Sequence, residues 1–277
     1  MHRISDLMDF LKRTGSQPKK SLSQNFLVDQ NILDKIAKLA EDSDADLFLE
    51  IGPGPGALTE KLLATGKQVI AVELDRIFAK ELQRLDPSGG QLTVVEGDVL
   101  EVDLDSLLKP LLSPGKKAAV VANLPYQITS RILTEFARKY ELFSDLIVMI
   151  QKEVAERIKA SPGGKIYGSL TVYLNFFSQV VNDFTVSRNC FYPKPNVDSS
   201  VIQLKLHPPP EVSDEEGFFR MSRQAFQQRR KTLRKSLSEL YEKERVARAL
   251  NELGFGEDSR PESLSLQELI LLFEKIK

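Results

Sequence analysis

Residues 46–59 read DLFLEIGPGPGALT, and this stretch decides the fold. DLFLEI (46–51) is a short apolar run of strand length. Gly52-Pro53-Gly54-Pro55-Gly56 then forces a sharp turn, and a helical pattern starts at Ala57. Glycines at such a turn let the backbone bend tightly and let a ligand approach the main chain closely. Outward from this loop the pattern repeats. QVIAVEL (68–74), LTVVEG (92–97), AAVVAN (118–123) and LIVMI (146–150) read as further buried strands. Helical stretches near 57–65, 75–85, 129–139 and 151–159 alternate with them. Strands alternating with helices imply a mostly parallel, doubly wound α/β sheet covered on both faces, with right-handed crossovers. VVNDFTV (180–186) and SSVIQLKL (199–206) read as a late antiparallel pair.

Ahead of the first strand, residues 4–13 and 29–41 have helical spacing, with a basic, polar stretch between them. Pro208, Pro209 and Pro210 stop regular structure, and the remainder is helical in pattern with no convincing strand. The reading gives a basic N-terminal helix and arm over 1–28, a sheet domain over 29–207, and a small all-α domain over 208–277.

Composition narrows the chemistry. The 277 residues are 42% hydrophobic and 28% charged, ordinary for a globular protein. No apolar run is long enough for a transmembrane helix. The N-terminus lacks a signal-peptide pattern. Cys190 is the one cysteine, so no intrachain disulfide can form, which suits a reducing cytoplasm. The two histidines, His2 and His207, are far apart, so a catalytic triad or a His-rich metal site is not expected. Net charge is -1, so any nucleic-acid surface must be local. Arg220, Arg223, Arg229, Arg230, Lys231, Arg234 and Lys235 supply one: no acidic residue interrupts them. On a helix they would form a positive face for RNA phosphates; a solvated helix face is the plainer alternative. Lys12, Arg13, Lys19 and Lys20 extend that footprint or form a solvated basic arm.

Two loops carry the chemistry. Glu73 ends the second strand, where a carboxylate can accept from ribose hydroxyls. Asp98 ends the third, where it can accept from an adenine amine. Gly52, Gly54 and Ala57 also fit a relaxed dinucleotide fingerprint, and an unliganded Gly-Pro turn is the bland alternative. Glu50, the two loop prolines and Asp98 favour a sulfonium cofactor. The fourth strand runs into Asn123-Leu124-Pro125-Tyr126 at the ligand-binding end of the sheet. Pro125 stiffens this loop, so the Asn123 side-chain oxygen and the Leu124 carbonyl can face one exocyclic NH₂. Its nitrogen lone pair is delocalised; two fixed acceptors favour a pyramidal amine and stabilise positive charge developing on it. Tyr126 offers a π face for a base. A strand-ending Asn-Pro turn with a core tyrosine is the structural alternative.

These residues resemble the ribosomal RNA adenine dimethyltransferases over almost the whole chain, nearest to the branch that acts on small-subunit RNA. The shared motifs are QNFL (24–27), EIGPGPGALT (50–59), AVELD (71–75), EGD (96–98), NLPY (123–126), QKEVAERI (151–158), FYPKPNVDS (191–199) and QRRKTLR (228–234). The resemblance implies a Rossmann-like class I methyltransferase sheet and S-adenosyl-L-methionine as cofactor. It implies that Gln24, Asn25 and Leu27 help close over the cofactor. Gly52 and Gly54 of the loop would lie at the cofactor, with Gly52 against its methionine part, Glu73 on the ribose and Asp98 on the adenine. Asn123, Leu124, Pro125 and Tyr126 would hold the target amine beside the cofactor, and Phe191 would stack on the other face of a flipped adenine. Arg223, Arg229, Arg230, Lys231 and Arg234 would bind RNA. The implied product is dimethyladenosine at two neighbouring positions near the 3′ end of small-subunit RNA, made by a monomer on a pre-ribosomal particle. Ser23, where the family usually has glycine, and Pro55 depart from its pattern. Cys190 reads as a small buried residue and not a nucleophile. Two other functions stay open: a large-subunit RNA methyltransferase of the macrolide-resistance type, and a non-catalytic RNA-binding assembly or transcription factor on the same fold.

Overall fold

The computed structural model describes residues 4–19, 22–228 and 230–277; Lys20 and Arg229, both among the basic residues singled out in the sequence, lie outside the described residues. In chain order the elements begin α1 (Ile4–Thr14), β1 (Phe26–Leu27), α2 (Gln30–Glu41), β2 (Leu47–Ile51), α3 (Ala57–Leu63), β3 (Gln68–Glu73) and α4 (Arg76–Leu82). Then come β4 (Leu92–Glu96), α5 (Leu104–Leu108), β5 (Ala118–Asn123), α6 (Thr129–Ala137), β6 (Phe143–Gln151) and α7 (Lys152–Ile158). The chain continues with α8 (Ser169–Phe177), β7 (Ser178–Val186), β8 (Phe191–Tyr192) and β9 (Ser199–Leu206). It ends in α9 (Glu215–Gln227), α10 (Leu233–Ser236), α11 (Lys243–Glu252) and α12 (Leu266–Ile276).

Seven strands form one sheet in the order β4-β3-β2-β5-β6-β9-β7. The pairings β2–β3, β2–β5, β3–β4 and β5–β6 are parallel, and β9 runs antiparallel to β6. The order reverses beside β2, between β3 and β5. Ligands in open α/β sheets bind at the carboxyl ends of strands at such a switch point. The β2 strand is buried at every position, as expected of a central strand covered on both faces. Phe48 of β2, Val69 and Ala71 of β3, and Ala119 and Val121 of β5 pack in one core with Leu33, Ile36 and Ala40 of α2 and Leu62 of α3. Each fully buried leucine or phenylalanine there contributes about 1.5–3 kcal/mol relative to exposure. Asp29 starts α2 by accepting from the Ile32 amide, and Asp75 starts α4 by accepting from the Ile77 amide.

Tertiary packing divides the chain into two units, 1–155 with 179–207, and 156–178 with 208–277. The boundary differs from the one read in the sequence: 156–178 packs with the C-terminal helices. In that second unit Phe176 stacks on Phe218 with ring centroids 5.5 Å apart, and Tyr173 lies 4.5 Å from Phe219. An aromatic core therefore claims α8. The basic run is also not one helix: α9 ends at Gln227, the Lys231 amide donates to the Gln228 carbonyl in a turn, and α10 begins at Leu233. Leu233 is fully buried, and its amide donates to the Ser259 carbonyl, which fixes the break.

Candidate functional site

The first unit holds a cleft at the carboxyl ends of β2, β3 and β5. Its lining includes Gln24, Asn25, Gly52, Gly54, Glu73, Asp98 and the whole of Asn123-Leu124-Pro125-Tyr126. These residues are far apart in the chain, and the sheet topology brings them to one place.

The glycine loop is built around Glu73. Its two carboxylate oxygens accept from the Gly54 amide at 2.8 Å and the Asp75 amide at 2.7 Å. Gly54 has φ 55°, and a Cβ there would come within 3.0 Å of the Phe26 ring, so glycine is required on two counts. Burial pushes the Glu73 carboxyl up, against the two amides that favour its charge. Each oxygen keeps a lone pair for a further donor. Glu50, on the adjacent strand β2, is 1% exposed, and its Oε2 has no hydrogen-bond partner. Burial pushes its carboxyl up to about 8.

The arm before β1 folds onto the same strand ends. Lys19 Nζ lies 2.7 Å from Asp75 Oδ2, while the Lys19 amide donates to Gln24 Oε1 at 2.8 Å. Gln24 Nε2 points back to Asp75 at 3.5 Å. Burial opposes the charge on Asp75, but Lys19 and the Ile77 amide outweigh it and hold the carboxyl below its usual range. Ser23 has φ 51° and is the one non-glycine with positive φ among the described residues.

Asp98 accepts from the Leu100 amide through Oδ1, which leaves its other oxygen to the cleft. Between Glu73 and Asp98 the wall is apolar: Leu74, 53% exposed, with Val99 and Ile128. Sequence reasoning missed these three. An apolar residue left exposed directly after a strand-ending carboxylate is the signal that could have found Leu74. The combination fits a nucleoside: paired hydroxyls on Glu73, an aromatic amine on Asp98, and a flat ring against Leu74 and Val99.

In the target loop, Asn123 Nδ2 donates to the Asn25 carbonyl at 2.9 Å. The Asn123 side-chain oxygen accepts from no described residue. Nor does the Leu124 carbonyl, although the Leu124 amide is tied to the Met149 carbonyl at 3.1 Å. Two acceptors are thus presented on a loop that the backbone holds fixed. Tyr126 also lines the cleft, and its hydroxyl lies 3.0 Å from the Ser199 hydroxyl.

Two residues assigned by resemblance lie elsewhere. Leu27 and Phe191 face each other across the β1–β8 pair and sit in the core, Phe191 at 3% exposed. Neither lines this cleft. In this structure Phe191 packs in the same core cluster as Leu27, Leu33 and Met149. Cys190 donates to Asp29 Oδ2 at 3.6 Å, and burial together with that carboxylate pushes its thiol up. A thiol so placed is a poor nucleophile.

In the second unit Arg220, Arg223, Arg230, Lys231 and Lys235 are exposed. Arg234 differs: it bonds Glu257 at 2.5 Å and lies 3.7 Å from Glu244. Its charge is already matched within the unit.

A family model described as ribosomal RNA adenine dimethylase matches residues 15–277. The chain is 45% identical over 276 residues to the ribosomal RNA small subunit methyltransferase A of Protochlamydia amoebophila, covering 100% of this chain and 97% of that protein. It is 41% identical to the Bacillus cereus protein of the same name, covering 95% and 93%. Among solved structures it is similar to a dimethyladenosine transferase from Plasmodium falciparum, with TM-score 0.73, 28% identity and coverage of 88% and 94%.

Proposed function

Because the chain belongs to the ribosomal RNA adenine dimethylase family, we propose how its cleft performs that family's reaction. The chain is an rRNA adenine N6-dimethyltransferase of the small-subunit branch. It dimethylates adjacent adenosines near the 3′ end of small-subunit RNA during ribosome biogenesis. Glu73, Asp98 and the Gly52–Gly54 loop would hold S-adenosyl-L-methionine, which would supply a methyl group on a positively charged sulfur. The protein's share is to bind, orient and exclude water.

The observation that carries the mechanism is the division of labour at Asn123. One of its amide N–H groups donates to the Asn25 carbonyl, which orients the amide and leaves its oxygen to accept. That oxygen and the Leu124 carbonyl take the two hydrogens of the adenine amine. As the nitrogen forms its new bond, positive charge appears on it, and both acceptors gain strength. Tyr126 lays its ring against the flipped base. The methylated nitrogen is cationic and loses a proton to solvent, so no histidine base is needed. For the second transfer one N–H remains to be held, and rotation about the C–N bond presents it again.

The exposed cations Arg220, Arg223, Arg230 and Lys231 support binding of RNA phosphates by the helical unit. The same reading makes the enzyme a cytoplasmic monomer that works on a pre-ribosomal particle.

Mass spectrometry of RNA fragments tests the reading. Small-subunit and large-subunit particles from cells lacking the protein are incubated separately with purified enzyme and S-adenosyl-L-methionine. Dimethyladenosine at two neighbouring positions is the expected result. Modification of large-subunit RNA in place of it, or no methyladenosine at all, overturns the assignment.

A further inference from the structure

The Tyr126 hydroxyl has a use that base stacking alone does not give it. It lies 3.0 Å from the hydroxyl of Ser199, which is 1% exposed. Ser199 is the first residue of β9 and stands opposite Gln151 in the β6–β9 ladder, so its backbone is fixed by the sheet. Just before it, the Asp198 carbonyl accepts from the Lys152 amide, and the Asp198 side chain accepts from the Arg188 amide. Ser199 is thus an anchored hydroxyl in a dry place. Tyr126 is on a loop that follows β5, and nothing in its own backbone fixes where its ring swings.

We propose that Ser199 is a positioning residue for methyl transfer: its hydroxyl holds the Tyr126 phenol oxygen so that the ring stays at the cleft wall. The proposal rests on the assignment of Tyr126 as the base-stacking residue. A bond at the para oxygen fixes the direction of the ring axis, which is set by χ1. Rotation about that axis leaves the bond intact, so the ring can still settle against a base. A buried tyrosine hydroxyl normally finds such a partner, and here the partner comes from the start of β9. Without it the ring is free to swing into the space the base must enter, and the cost falls on the rate of transfer.

A double-mutant cycle on the full-length enzyme tests this, with wild type, Ser199→Ala, Tyr126→Phe and the double variant. Single-turnover methylation of small-subunit particles is measured at saturating S-adenosyl-L-methionine, and cofactor affinity is measured by calorimetry. Each single change is expected to slow transfer roughly threefold to tenfold, the range for one neutral hydrogen bond, with cofactor affinity unchanged. The double variant is expected to be no slower than either single one. Effects that multiply in the double variant overturn the proposal, as does a wild-type rate for Ser199→Ala. Tyr126→Phe removes only an oxygen, so a wild-type rate for it overturns the proposal even if the Ser199 variants fold poorly. An inactive wild type would instead count against the enzymatic assignment itself.

Discussion

Asn123 at the end of β5 gives its side-chain N–H to the backbone carbonyl of Asn25, 98 residues away, at 2.9 Å. One bond therefore joins the target-base loop to the N-terminal arm and orients the Asn123 amide. The arm is itself tied to the end of β3 by Lys19 and Gln24 through Asp75. The parts that bind cofactor and target are one connected structure, and single substitutions can probe each part separately.

Glu73→Ala is expected to weaken S-adenosyl-L-methionine binding while sparing RNA binding. The carboxylate organises the Gly54 and Asp75 amides, and in the proposed reading it would accept charge-assisted bonds from ribose hydroxyls. Such bonds are typically worth about 1.5–3 kcal/mol each, so affinity should fall at least roughly tenfold. Calorimetry with unchanged cofactor affinity would contradict the assignment.

Ser23→Gly is expected to stabilise the protein. A non-glycine residue in the left-handed region costs about 1–2 kcal/mol, partly offset by the greater freedom of glycine when unfolded. The net gain should be up to about 1 kcal/mol. The Ser23 carbonyl that accepts from Asn25 is kept in the variant. A lower thermal midpoint would show that the serine is not strained.

Glu50 should make stability depend on pH. The folded protein keeps a proton on this carboxyl up to about pH 8, whereas the free carboxyl loses it near 4.5. Between those values the folded state binds more protons than the unfolded one, so this group's contribution is lost as pH rises through the window. Urea midpoints of the cofactor-free protein, taken from pH 5 to 8.5, should fall more steeply for wild type than for Glu50→Gln. Parallel profiles would rule out a raised carboxyl.

Arg230 and Lys231 changed together to Ala should flatten the salt dependence of RNA binding and leave cofactor affinity intact. Each phosphate that a side chain neutralises accounts for about 0.7–0.9 of the log–log slope, so removing either cation should reduce the slope by that amount. Arg234→Ala should behave differently: it breaks the pairs with Glu257 and Glu244, so it should lower the melting temperature and leave the slope unchanged. A flattened slope for Arg234→Ala would return that residue to the RNA surface.

Much of this is readable in the sequence, and for physical reasons. The central strands are nearly continuous apolar runs, and the ligand-facing residues stand at the last strand residue or just after it. That is why Glu73, Asp98 and Asn123 can be placed in one cleft. The α8 helix is not visible there, because SLTVYLNFF is apolar on nearly every side and shows no polar face. Strands β1 and β8 are two residues each, too short for any period, so nothing in the sequence signals the inward turn of Phe191 and Leu27. Arg234 reads with its basic neighbours because its acidic partners lie 10 and 23 residues further on.

The most direct test of the mechanism is single-turnover methylation of small-subunit particles by Asn123→Ala, with cofactor affinity measured on the same preparation. Removing one preorganised acceptor typically costs about 100–1,000-fold in turnover. The account requires a loss of that size, with the fold intact and S-adenosyl-L-methionine still bound. A near-normal rate would contradict it, even though the protein methylates RNA.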